Sequence, residues 1–278
     1  MRQYRYGFGN FKHTPFAVVL NETTFPITFR VDTWQPTMED LVNNPTIEAS
    51  VQVIASLPAD YPDTPAMQRV AQYHDEKHLE ASQYDSALIQ TIKGKDIAEV
   101  LFTVPKQGSG EPLYLARFFV YPALFAEHTL PEEKQGMRSL GKYLMCTTLR
   151  MILASYGPVS RVAVHAGGGG YITSEMSDDD ALEWYEQHPG LLRMRERIFN
   201  HSLEYFESEG IQPPIRTFRD FLISSIQRDM GTLNLYNYYN RAFGFEAVDP
   251  AVLDGNDEFE GGIDMAVSTE TILAKCHQ

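Results

Sequence analysis

Cysteine is scarce in this chain: Cys146 and Cys276 are the only two in 278 residues. Two thiols build neither a disulfide framework nor a zinc cluster, so the expectation is a reducing compartment and a cytoplasmic location. No apolar run approaches the ~18–20 residues that span a bilayer, and no membrane contact is expected. The start, Met1-Arg2-Gln3-Tyr4-Arg5-Tyr6, lacks the apolar core of a secretory signal. There is no internal repeat and no low-complexity tract. Positive charge is also short: 23 Lys plus Arg stand against 37 Asp plus Glu, a formal net charge of -14. Such a chain repels phosphate backbones, which disfavours nucleic acid as a partner and leaves room only for a local basic pocket.

What is present is a globular mixture. Hydrophobic residues make up 43% and aromatics 12%, enough for a sizeable core. The length fits one large or two ordinary domains. Residues 16–20 and 25–31 read as two strands around the turn-rich Asn21-Glu22-Thr23-Thr24. Thr37 with Glu39 and Asp40 marks a helix start. Pro58, Pro62 and Pro65 make 57–67 a loop, and a helix is expected over about 76–92. Ile97 to Val104 and Leu113 to Tyr121 read as a hairpin around Gln107-Gly108-Ser109-Gly110.

The clearest helix is 139–155, where Leu140, Leu144, Met145, Leu149, Ile152 and Leu153 recur at helical spacing before Gly157-Pro158. Val159 to His165 follows as a strand, so strand, helix, strand implies a parallel crossover. Residues 177–230 read as three helical pieces, with Ser177 and Thr217 as amino-terminal caps. A separate helix over 233–242 and strands at 245–248 and 263–267 complete the chain. The fold class expected is α/β, with a mixed, mostly antiparallel sheet and flanking helices.

This order of elements resembles the GNAT superfamily of N-acetyltransferases. The loop Gly136-Met137-Arg138-Ser139-Leu140-Gly141 before the long helix is similar to the family loop that wraps the pyrophosphate of coenzyme A. In that register Ser139 takes the first glycine position and Gly136 the usual Arg/Gln position. Starting at Gln135 instead puts Arg138 and Leu140 at the glycine positions. Arg138 and Lys142 add positive charge, and amides at a helix start suit a diphosphate. The segment Tyr236-Asn237-Tyr238-Tyr239-Asn240-Arg241-Ala242-Phe243-Gly244-Phe245 resembles the family helix whose tyrosine protonates the departing thiolate. Tyr239 lies five residues before Gly244 and is the first choice; Tyr236 is the second. The same tyrosines also read as packing aromatics on an amphipathic helix.

The resemblance implies a single domain over 1–278, with an amino-terminal extension, 1–94, and a helical insertion, 167–232. It implies an acetyl-CoA dependent N-acyltransferase in which a primary amine attacks the thioester directly. By position Phe119, Val120 and Tyr121 would face the pantetheine arm. Arg117 is the only charged residue on that strand, so His165 is the leading base, with Glu175 and Glu183 behind it. The acidic start of the insertion (Glu175, Asp178, Asp179, Asp180, Glu183, Glu186) suits a cationic acceptor, and suits a solvated helix face equally. The rival reading is a catalytically inactive protein on the same fold that binds a partner. A third is another enzyme class using His165 and Gly167 to Gly170. His74 and His78 stand at zinc-ligand spacing without a third ligand, and Asp254 to Glu258 lacks the glycine of a calcium loop, so no metal is expected. Cys146 reads as core.

Overall fold

The computed structural model describes residues 3–4, 16–37, 42, 44–68, 96–120, 131–132, 139–167, 177–253 and 262–276. Outside them lie most of the expected helix start at 37–40, the helix at 76–92 with His74 and His78, Gln135 to Arg138, Gly168 to Gly170, and the loop 254–260. The class is α/β, with a mixed, mostly antiparallel sheet and flanking helices. The chain forms two compact units, Met1–Val162 with Cys276–Gln278, and Ala163–Lys275.

The first unit holds strands β1 (Gln3–Tyr4), β2 (Ala17–Leu20), β3 (Thr23–Pro26), β4 (Thr28–Trp34), β5 (Ile47–Ser56), β6 (Asp96–Pro105) and β7 (Leu113–Val120), and helix α1 (Leu140–Tyr156). Strands β1, β4, β5, β6 and β7 lie side by side in that order, each pair antiparallel. β2 and β3 form a separate hairpin. Its two turn residues, Asn21 and Glu22, both have positive φ (48° and 63°), the twist that a two-residue hairpin requires.

Two strand expectations are corrected here. The stretch 25–31 is not one strand: it breaks at Ile27, with Pro26 pairing to β2 and Thr28 starting the pairing to β5. The Ile27 amide still donates to the Phe16 carbonyl at 2.7 Å, the next pair in the register of β2 and β3, and the chain changes partners immediately after it. β5 was not expected at all. It is a central strand flanked by β4 and β6, and Val51, Val53, Ile54 and Ala55 are each at most 1% exposed. A strand buried on both faces loses the alternation by which strands are recognised.

Cross-strand partners share a face of a sheet. Phe29, Val31 and Thr33 pair with Ala55, Val53 and Val51, which pair with Ala98, Val100 and Phe102. α1 packs on this face, where the Tyr143 ring lies 5.4 Å from Phe29. Leu140, Leu144, Met145, Leu149 and Ile152 of α1 are fully buried, each worth roughly 1.5–3 kcal/mol. The helix ends as expected at Gly157, whose φ of 93° suits glycine.

Cys146, in the middle of α1, is bonded to Cys276. It is buried, as expected of a core residue. The two cysteines are therefore paired rather than free thiols. Among the described residues no helix is long and apolar enough to cross a membrane.

The second unit carries most of β8 (Arg161–Gly167), then α2 (Asp178–Glu186), α3 (Pro189–Ser208), α4 (Phe218–Phe243), β9 (Glu246–Ala247), β10 (Gly262–Ser268) and α5 (Thr269–Lys275). β10 lies between β8 and β9 and runs antiparallel to β9. The caps are those expected: the Asp180 amide donates to Ser177 Oγ at 3.2 Å and the Asp220 amide to Thr217 Oγ1 at 3.1 Å. The separate helix over 233–242 is corrected. α4 runs unbroken for 26 residues, through Gly231. A glycine costs a helix interior about 1 kcal/mol, less than the burial this face supplies.

Candidate functional site

The residues expected to hold a diphosphate begin α1 in the first unit. Ser139 is the N-cap, but its hydroxyl makes no capping hydrogen bond, and its backbone is αR rather than extended. The first turn has no acidic residue. Leu140 and Gly141 are buried and Lys142 is half-buried. Among the described residues, then, no side chain of the N-cap residue accepts from the leading amides of α1, and the first turn carries Lys142 and no acidic residue. Phe119 and Val120 end β7, both half-buried. Gly136, Met137, Arg138 and Tyr121 lie outside the described residues.

Opposite α1, the same sheet carries a polar row that the sequence concealed. Asp32 pairs with Gln52, Gln52 with Leu101, and Leu101 with Arg117, placing these residues on one face. Glu99, two residues before Leu101 on that face, is 1% exposed. Gln52 Nε2 donates to Glu99 Oε1 at 2.7 Å, and Arg117 Nη1 reaches Glu99 Oε2 at 3.5 Å. Arg30 Nε donates to Asp32 Oδ2 at 3.0 Å. Arg117 is thus committed to a neighbouring strand. Glu99 is the one charged residue within the apolar run 97–104, and its register opposite Phe119 places it beside Arg117.

In the second unit, β8 starts and ends two residues later than expected. His165 therefore sits inside the strand, beside β10. Its Nδ1 lies 2.8 Å from Asp264 Oδ1. Nδ1 is thus the ring nitrogen that faces the carboxylate. The ring passes over Gly262, where a Cβ would stand 2.4 Å from His165 Nε2. Asp264 was not singled out from the sequence: 99 residues separate the pair.

Tyr236 and Tyr239 both lie on α4. Tyr239 is buried at 4% exposure, its ring 5.7 Å from those of Tyr238 and Phe245. Tyr236 is half-buried. The Gly-Phe pair after them closes the helix. Gly244 is left-handed (φ 80°), its amide donates to the Asn240 carbonyl at 2.9 Å, and the Phe245 amide reaches the Tyr239 carbonyl at 3.4 Å. Asn240 Nδ2 donates to the Phe245 carbonyl at 2.8 Å, so the residue four before Gly244 is occupied in the same turn. Phe245 is fully buried.

Glu183 is exposed on α2, accepting from Gln187 Nε2 at 3.4 Å; Glu175 lies outside the described residues. The helical unit also contains a buried ionic group unseen in the sequence. Asp229 accepts from Arg195 through Nε (2.7 Å) and Nη2, and from the Tyr185 hydroxyl at 2.7 Å. Burial opposes the Arg195 charge, but the hydrogen bonds and charge of Asp229 outweigh it and hold the guanidinium above its usual range. Burial first, then the Asp229 charge, pushes the Tyr185 phenol well above its usual range. Among the described residues no three His, Cys, Asp or Glu side chains gather to hold a metal ion.

No protein-family model, no curated protein and no solved structure matches the chain.

Proposed function

We propose that the protein is an acyl-coenzyme A dependent N-acyltransferase, with acetyl-CoA as donor and a primary, cationic amine as acceptor. The observation that supports this most is the start of α1. After strand β7 the helix opens on Ser139, which does not cap it, on the buried Gly141 and on Lys142, with no acidic side chain in the first turn. A diphosphate satisfies those amides and the helix dipole together.

In this reading the acceptor's primary ammonium first loses a proton to solvent, and the neutral amine attacks the thioester carbonyl. His165 Nε2 takes the amine proton, and a phenol of α4 returns a proton to the coenzyme A thiolate as it leaves. A phenol is a chemically suitable acid for that thiolate. We assign that role to Tyr236, which is half-buried, rather than to Tyr239, which is buried beside Tyr238 and Phe245. Glu183 and its acidic neighbours on α2 attract a cationic acceptor.

The test is linkage followed by turnover. Acetyl-CoA at a concentration a hundredfold above its Kd raises stability by about 2.7 kcal/mol, which melting detects. Free thiol release with a panel of alkyl amines and polyamines then reports transfer. An unchanged Tm at millimolar acetyl-CoA sinks the proposal. The second reading, a binding protein without catalysis, is favoured by Asn240, which fills the position four before Gly244 with an amide bonded to backbone. A shift in Tm without thiol release would select it.

A further inference from the structure

We infer that Asp264 is a positioning residue that fixes His165 as the Nδ1–H tautomer and leaves Nε2 as the proton acceptor. This rests on the acyltransferase reading for its catalytic use, but the arrangement stands on geometry alone. His165 on β8 and Asp264 on β10 meet at 2.8 Å through Nδ1. Free histidine places its proton on either nitrogen, and a carboxylate at Nδ1 selects one form. Gly262, two residues before Asp264, provides the notch for the ring. A Cβ there would lie 2.4 Å from His165 Nε2 and 2.6 Å from the Ala166 carbonyl oxygen, so a side chain at 262 would displace the imidazole edge. The glycine and the carboxylate thus set the same ring, one by space and one by hydrogen bond. The amine's lone pair forms the C–N bond, its N–H bond then breaks, and the C–S bond breaks to release the coenzyme A thiolate, which takes its proton from the phenol of α4. The amine proton passes to Nε2, and the imidazolium charge is balanced by Asp264.

The decisive measurement is the 15N spectrum of the His165 ring in the intact protein, at a pH where the ring is neutral. The wild type is expected to show Nδ1 protonated and Nε2 bare. In Asp264→Asn the amide nitrogen donates to Nδ1, and the proton moves to Nε2. Asp264→Glu is expected to restore the wild-type pattern. Asp264 is 76% exposed at its side chain, so these variants retain the fold. A wild-type ring protonated on Nε2, or a pattern that Asp264→Asn leaves unchanged, overturns the inference. Turnover supplies the second arm: Asp264→Asn is expected to lower kcat at least tenfold with KM little changed, and an unaltered kcat in an active protein overturns the positioning role. If the tautomer follows Asp264 but no amine is acylated, the geometry stands and the acyltransferase reading falls.

Discussion

Arg195 and Asp229 grip each other by two hydrogen bonds inside the helical unit, at 3% and 0% side-chain exposure. Arg195 comes from α3 and Asp229 from α4, and Tyr185 of α2 adds a third bond. Removing one partner strands a charge. Asp229→Ala is expected to cost about 3–5 kcal/mol in urea unfolding, whereas the apolar pair Arg195→Met with Asp229→Leu recovers most of that loss. Equal losses in the single and the paired variants would show that the charges do not act as a unit.

Tyr185 makes alkaline stability diagnostic. Its phenol is raised in the folded protein, so above pH about 10 the unfolded chain releases this proton while the folded chain keeps it. The folded state then binds more protons, and stability falls as pH rises through that range. Below pH about 9 this contribution is constant. Tyr185→Phe removes it, so Tm measured from pH 8 to 11 should decline less steeply than in the wild type. Parallel curves would contradict the assignment.

The Cys146–Cys276 bridge spans 130 residues of sequence. A loop of that size is worth about 4–5 kcal/mol in the chain-entropy account. Reductant, or Cys276→Ser, should therefore lower Tm by several degrees. Two thiols titrating in the native, unreduced protein would sink this expectation.

The two phenols of α4 separate by kind of effect. Tyr236→Phe is expected to slow thiol release about a hundredfold and leave Tm within a degree or two. Tyr239→Phe, at 4% exposure, is expected to act on stability with kcat near the wild-type value. The opposite outcome returns the acid role to Tyr239.

Local physics made much of the fold legible. Ser177 and Thr217 announce their helices because a cap needs only residues three apart, and Gly157-Pro158 ends α1 for reasons contained in the backbone. The hairpin β6–β7 follows from two apolar runs around one turn. What stayed hidden depends on distant partners. Arg195 and Asp229 look like surface charges until α3 and α4 pack together, 34 residues apart. Glu99 vanishes in an apolar run because its partner, Gln52, lies in a strand that carries no clear alternation. His165 was visible as a candidate, but Asp264 became visible only when β10 was placed beside β8. The Gly244-Phe245 pair shows the reverse hazard: a functional signature on the page has a sufficient mechanical reason in a left-handed helix end.

The unbroken course of α4 has a consequence for phase. Its 26 residues make a rod ~39 Å long, and one stripe of that rod carries both Asp229 and Tyr236. Seven residues are two turns with a drift of only about 20°. The buried Arg195 fork therefore acts as a rotational detent, setting the angle at which the phenol two turns away is presented. Deleting a single residue between them would swing that phenol by about 100° about the axis while leaving every side chain of the proposed site in the sequence.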